Sequence, residues 1–193
     1  VTFLIAVICI IFLSLNSNLN DRMFKDTAKD IGLISQTNTK LTFNNLTFFS
    51  PIHDSLYKTA YNMFKDQPIL GHGPKIFRVK CKDKKYATGI SPCSTHPHHF
   101  YIQLLAETGL VGFLFLLTAL GYVLYTASRQ FKSIIFKEKR YLTDYQVCLL
   151  AGILITLWPF SPNGNFFNNW LMVVYSLPVG FYLQSIYSKK NRK

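Results

Sequence analysis

Four apolar runs divide the chain, and the charged residues crowd into the segments between them. Residues 109–127 are 19 residues without a charge, close to the ~20 residues that a helix needs to cross a hydrocarbon core. Residues 145–160 and 170–188 form a weaker pair, and Pro178 is tolerated in lipid where neighbouring helices satisfy the freed carbonyl. Trp and Tyr near the ends of these runs favour membrane helices over buried helices of a soluble protein.

The first apolar run, residues 1–15, is too short to cross a membrane as it stands. Fifteen residues rise only ~22 Å in a helix. A signal-peptide core is one interpretation, but no basic residue precedes the run and no small-residue cleavage site follows it. We therefore favour the C-terminal part of a membrane helix that begins before Val1, so that the chain is a piece of a longer protein.

The lysines and arginines of the connecting segments predict the orientation. Residues 128–144 hold five of them and the tail 189–193 holds four, whereas residues 161–169 hold none. Because short basic segments stay in the cytoplasm, residues 161–169 and the long segment 16–108 should lie outside. The predicted fold class is an all-α integral membrane protein whose transmembrane helices carry a large, mainly helical extracytoplasmic loop. Long translocated loops are largely exempt from this charge rule, so the basic residues of the loop do not oppose the assignment.

The positions of the charged residues change how the net charge is interpreted. A net charge of +12 with 16% aromatic residues would suit a nucleic-acid-binding domain. However, residues 16–99 carry 12 basic and six acidic side chains, the two predicted cytoplasmic segments together carry +7, and Glu107 subtracts one. We therefore interpret the charge as membrane orientation plus an anionic substrate, with no nucleic acid as partner. The 49% apolar content and four cysteines exclude a disordered chain and a disulfide-dense mini-protein.

Two features organise the external loop. Apolar residues at helical spacing from Leu56 to Phe64 predict an amphipathic helix that Pro68 ends, followed by a turn with two glycines. A charged, exposed tract at residues 80–85 includes four lysines, with Cys81 near its start and Cys93 beyond its end. In an oxidising compartment the two cysteines would pair and stabilise the fold by up to ~3 kcal/mol through loop closure. The alternative is two free thiols.

A histidine-rich segment precedes the predicted helix that enters the membrane. His96, His98 and His99 lie within four residues of one another. Thr95 or His96 would cap this helix, and Pro97 would suit its first turn. The helix N-terminus would attract phosphate, and a neutral imidazole there would accept a proton.

Other chemistries for this segment have weaker support. A metal site, with His72 or Cys93 as a further ligand, lacks a second spaced pair of ligands. There is no Asp-x-Asp pair and no glycine-rich phosphate loop. A polar cap on a membrane helix is the remaining structural alternative. Glu107 would be an interfacial anchor.

One spacing in this region matches a known family motif. His98-His99, nine residues and then Gly109 through Gly112 are similar to the His-Asn-x9-Gly-x-x-Gly motif of the O-antigen ligase family, with His99 in the place of Asn. The resemblance covers residues from about 50 to 180. Tyr57, and then Asp66 through Gly71, Gly73 and Pro74, resemble the family's upstream block. Residues 159–167 are similar to its next external loop.

The resemblance implies a glycosyltransferase of surface polysaccharide synthesis. Such enzymes move a glycan from undecaprenyl diphosphate to lipid A-core (ligases), to a growing glycan (polymerases) or to a protein hydroxyl, outside the bacterial inner membrane. His98 would be the catalytic base, in an inverting reaction without metal or other cofactor. Arg78, then Lys75, would bind the diphosphate, as would His53, which stands where many members carry Arg. Only the C-terminal part of the family's spans is expected in this chain, which should be inactive alone. A non-enzymatic membrane protein with a metal- or anion-binding loop is the remote alternative.

Overall fold

The computed structural model describes residues 21–30 and 50–190, with side chains described up to Tyr187. Every regular element in these ranges is helical and no strand occurs within them, which confirms the all-α prediction. The apolar run 1–15 lies outside the described residues. The chain divides into two units, Val1–Ser55 with Gly89–Ser91, and Leu56–Thr88 with Pro92–Lys193.

The described part of the first unit is small. A π-helical stretch, Asp21–Asp26, runs into the short helix α1, Thr27–Asp30, and neither buries a residue. The first residues of α2, Pro51–Asp66, also belong to this unit. Gly89 has φ +85° and leaves room for Ser55, whose hydroxyl accepts a hydrogen bond from the Ser91 N–H at 3.2 Å.

The second unit holds the rest of α2 and four further helices. Leu56, Ala60 and Met63 of α2 are buried, so the i, i+4, i+7 spacing forms one apolar face. The other helices are the single turn α3, Phe77–Lys80, the long α4, Phe100–Ile135, and then α5, Asp144–Thr156, and α6, Asn169–Lys190. α4 packs against α5, and α5 packs against α6.

α4 is the one helix among residues 21–30 and 50–190 that is long and apolar enough to cross a membrane. Its part after Gly109, residues 110–135, rises ~39 Å, more than a hydrocarbon core of ~30 Å. α5 is apolar but has only 13 residues. Two buried clusters join the helices, one around Phe100, Leu104 and Leu116, the other around Val123 and Tyr182.

Candidate functional site

A break in α4 shapes the site. Gly109 has φ +63° and ψ −158°, so the helix is interrupted there, a conformation that glycine adopts at little cost. A Cβ at Gly109 would collide with the backbone carbonyl of Ile69. Gly71, with φ +67°, lies equally close on the other side, where its Cβ would be 2.5 Å from the Glu107 carbonyl carbon and the Thr108 nitrogen. The two glycines allow two stretches of backbone to touch.

The backbone groups released by the break are satisfied by the turn that follows α2. The carbonyls of Ala106 and Glu107 accept hydrogen bonds from the N–H groups of His72 (3.1 Å) and Gly73 (2.8 Å). In return, the N–H groups of Leu110 and Val111 donate to the carbonyls of Pro68 (2.8 Å) and Ile69 (3.3 Å). Because buried backbone groups must be paired, these four bonds hold residues 68–73 across the break.

Glu107 is fully buried, not the interfacial anchor that its position beside the apolar run suggested. One carboxylate oxygen accepts from the Phe77 N–H at the start of α3, and the other accepts from the Gln103 side chain, both at 2.9 Å. A buried carboxylate needs such partners. Glu107 therefore links α3 to the first part of α4.

Gln103 extends this network to the connection between α5 and α6. Its amide nitrogen also donates to the Asn165 side chain at 2.8 Å, and its amide oxygen accepts from the Phe166 N–H at 2.9 Å. The Phe167 N–H donates to the same Asn165 oxygen. Gln103 and Asn165 are both buried, so residues 165–167 are fixed against α4 through a satisfied polar network.

His98 lies in the loop before α4 and has φ 58°, a left-handed conformation that costs a non-glycine residue roughly 1–2 kcal/mol. The Asn163 N–H donates to its carbonyl at 2.9 Å. The Ser94 hydroxyl lies 3.2 Å from its Nε2. The loop preceding α4 and the α5–α6 connection thus hold a half-buried imidazole from two sides.

The helix cap is His99, not Thr95 or His96 as expected. α4 begins at Phe100, and the His99 Nδ1 accepts from the Ile102 N–H at 3.4 Å. Its Nε2 lies 2.9 Å from the Pro159 carbonyl. Because a carbonyl only accepts, Nε2 carries the proton and the ring is neutral. Burial lowers the pKa of His99, although the bond to Pro159 opposes this. Pro97 lies before the helix, because His98 is not helical.

His96 packs against His98, with ring centroids 4.1 Å apart, and is 8% exposed. Burial lowers the pKa of His96 to about 4, aided by the charges of His98 and Arg78 against a smaller opposing effect of the Asn163 backbone. His96 is therefore neutral near pH 7.

The side chains of Arg78 and Lys75 are both exposed. Arg78 follows Phe77 on α3, and its charge acts on His96, so it belongs to the surroundings of the histidine pair. Lys75 has φ 62° in the turn that includes Gly73 and the exposed Pro74. His53 lies in the first unit, where its Nδ1 is 2.9 Å from the Ser50 hydroxyl.

The lysines of the charged tract at residues 80–85 differ in their contacts. Lys82 and Lys84 are exposed, as a solvated face would be. Lys85 instead pairs with Asp66, which also accepts from the Tyr86 hydroxyl at 2.6 Å. Both bonds lower the pKa of Asp66, and the bond to Lys85 has the larger effect. Lys80 donates to the His72 Nδ1 at 2.9 Å. Lys85 and Tyr86 therefore hold Asp66 at the end of α2, and Lys80 holds His72 of the turn.

Cys81 and Cys93 form a disulfide, with Cα atoms 5.0 Å apart. Cys81 directly follows α3 and Cys93 directly precedes Ser94. The bond thus connects the short helix that bears Arg78 to the loop that bears His98.

Several contributors to the site carried no local signal in the sequence. Gln103 and Asn165 are 62 positions apart, and Ser94 and Asn163 are ordinary loop residues until they meet His98. Gly112 lies against Thr108, whose hydroxyl bonds back to the Leu104 carbonyl.

Within residues 21–30 and 50–190, no three His, Cys, Asp or Glu side chains are grouped so as to hold a metal ion.

Comparison with known proteins identifies the family. A family model described as O-antigen ligase matches residues 1–117, which include the glycine turn, the histidine loop and the helix break. No curated protein and no solved structure matches the chain. Because the match covers more than half of the 193 residues, the chain belongs to the O-antigen ligase family.

Proposed function

We propose that the protein transfers a glycan from undecaprenyl diphosphate to an acceptor hydroxyl, with lipid A-core as acceptor. Family membership supports a lipid-linked glycan as substrate. The single observation that carries the proposal is the setting of His98, whose imidazole is half-buried, bonded to Ser94 and backed by a neutral His96. A positioned imidazole of this kind is suited to general-base catalysis.

In the proposed reaction His98 takes the proton of the acceptor hydroxyl as its oxygen attacks the anomeric carbon. The bond from that carbon to the diphosphate oxygen breaks, and its electron pair stays on the diphosphate. Attack opposite the leaving group inverts the configuration. Ser94 orients the imidazole, and Asn163 holds the backbone that presents it. The reaction needs no metal and no other cofactor.

The leaving diphosphate gains negative charge, which cationic side chains stabilise most where it develops. Arg78 is the first candidate because it is exposed, acts electrostatically on the histidine pair and binds phosphate bidentately. Lys75 is the second, and the family resemblance adds His53. Phosphate binding would require His53 to be protonated.

The proposed location is the bacterial inner membrane. α4 crosses it, and the apolar segments 145–160 and 170–188 form two further spans, with residues 16–108 in the periplasm. The membrane-length helix and the disulfide in the loop before it support this arrangement, because disulfides persist outside the cytoplasm.

Glycan transfer by the intact protein in membranes tests the proposal. We expect His98→Ala to lower the rate about 10²- to 10⁴-fold with normal insertion and abundance. Unchanged transfer would refute His98 as the base. Tight stoichiometric zinc binding that the same substitution abolishes would instead favour a metal-binding membrane protein.

A matched pair of cation substitutions tests the diphosphate contact. We expect Arg78→Ala to slow transfer more than Lys84→Ala, because both side chains are exposed but Arg78 is close enough for its charge to act on His96. Equal effects would mean that diffuse charge, not a specific contact, assists the reaction.

The acceptor is a separate question. Deletion of the gene should leave long, unattached glycan if the protein is a ligase. Single repeat units would identify a polymerase, and loss of glycan from proteins would identify an O-oligosaccharyltransferase of the same family.

A further inference from the structure

The loop that carries His98 is weakly held by its own backbone. Among the described residues, residues 92–97 make no backbone-to-backbone hydrogen bond, and the first such bond in the loop is that of the His98 carbonyl with Asn163. Upstream, the chain leaves the second unit, because Gly89–Ser91 belong to the first. Among the described residues, backbone-to-backbone hydrogen bonds therefore do not anchor the start of the loop in the unit that contains the site.

The Cys81–Cys93 disulfide supplies that anchor. Cys81 is fully buried, and its N–H donates to the Phe77 carbonyl at 2.9 Å. Phe77 is itself fully buried, and its N–H is bound by Glu107. A continuous path of bonds thus runs from α4 through Glu107, Phe77 and Cys81 to Cys93.

The same bond lies between the two residues that the reaction needs. Arg78 is three residues before Cys81, and Ser94, which contacts the His98 imidazole, directly follows Cys93. Without the disulfide, Arg78 and Ser94 would be connected only through the whole of residues 82–92. Catalytic rates fall steeply with such loss of position, about 10²-fold for a displacement of 1 Å.

We propose that the Cys81–Cys93 disulfide is a positioning element of the transfer site, and that the protein gains full transfer activity only after a protein that carries an oxidising disulfide has closed this bond. The inference rests on the proposed function. In the closing step each thiol loses a proton and the pair loses two electrons, and these reduce the disulfide of the oxidant to a dithiol. The site is thereby coupled to an oxidising compartment.

The experiment measures transfer by the intact protein before and after reduction with a phosphine, with alkylation to count free thiols. We expect reduction to slow transfer about 10- to 100-fold and reoxidation to restore it. The Cys81→Ser/Cys93→Ser variant should show the same low rate and no response to the phosphine. Cys148→Ser, which removes an exposed free thiol, is the matched control and should respond like the wild type.

Hydrogen exchange of the amides of residues 93–99 gives a readout that does not depend on transfer. Reduction should accelerate it at least about tenfold, since local exchange reports the free energy of opening. Unchanged transfer with both thiols alkylated would overturn the proposal, and so would free Cys81 and Cys93 in protein trapped in native membranes. If the oxidised protein transfers no glycan, the proposed function fails, and unchanged exchange would then overturn the positioning role as well.

Discussion

His98 adopts a left-handed backbone conformation and His99 an extended one. The imidazole of the left-handed residue lies against Ser94. The extended residue turns its ring back over the first turn of α4, where it accepts from Ile102 and donates to Pro159. The two adjacent histidines therefore have different contacts, His98 with Ser94 and His99 with the first turn of α4 and Pro159.

His96 predicts a pH dependence of the loop. Its pKa is lowered from 6.5 to about 4, so between these values the unfolded loop binds more protons than the folded one. The contribution of His96 to the stability of the loop is therefore fully present above pH 6.5 and is lost as the pH falls toward 4. We expect the free energy of loop opening to fall by about 2–3 kcal/mol between pH 7 and pH 4.5.

Hydrogen exchange of residues 93–99, corrected for the intrinsic rate, measures this change. A His96→Gln variant should show a flatter profile, because it removes the titrating ring while its neighbours His98 and Arg78 remain. An identical slope in the variant would assign the pH dependence to another group.

At the scale of elements, the interrupted helix α4 is the central feature. An unbroken helix would have paired the Ala106 and Glu107 carbonyls internally and left residues 68–73 without partners. The break instead exchanges four backbone bonds with that turn. The first part of α4 can then bury Gln103 and Glu107 beneath the site, while the second part continues as an apolar helix.

Two glycines of the turn test this arrangement. Gly71→Ala combines a left-handed φ with a Cβ 2.5 Å from the α4 backbone, whereas Gly73→Ala has φ +106° but no atom within 4 Å of the added Cβ. We expect Gly73→Ala to cost about 1–2 kcal/mol and Gly71→Ala about 1–3 kcal/mol more.

Thermal unfolding of the two purified variants compares these costs. The midpoint should fall clearly further for Gly71→Ala. If both variants lose the same amount, the close approach to α4 is not what constrains the turn.

At the scale of the molecule, charge and apolar surface predict a single orientation. Phe115 of α4 and Trp170 of α6 are largely exposed, a cost in water that disappears in hydrocarbon. The basic residues Arg129 and Lys132 lie at the C-terminal end of α4, the end that short basic segments keep in the cytoplasm. The His98 loop, at the opposite end of the helix, would then face outward.

Labelling with a membrane-impermeant maleimide checks this orientation in spheroplasts. In a background with Cys9→Ser and Cys148→Ser, we expect Ser161→Cys to react directly and Lys139→Cys to react only after permeabilisation. The reverse pattern would place the site in the cytoplasm and refute the proposed periplasmic reaction.

The sequence by itself determined the features that depend on local chemistry and composition. The apolar run 109–127, the glycines at 71 and 109, the basic segment after α4 and the two cysteines each follow from residue type and spacing. The family resemblance rested on the same residues, and the family match confirmed it.

Tertiary packing decided the rest. No local pattern distinguishes a buried Glu107 from an interfacial one, because its partners Phe77 and Gln103 meet it only once α3 and α4 are packed. The same holds for Asn163, which reaches His98 across 65 positions. Hydrogen bonds between distant segments depend on where the helices place their ends, so these supports of the histidine became visible only in the folded chain.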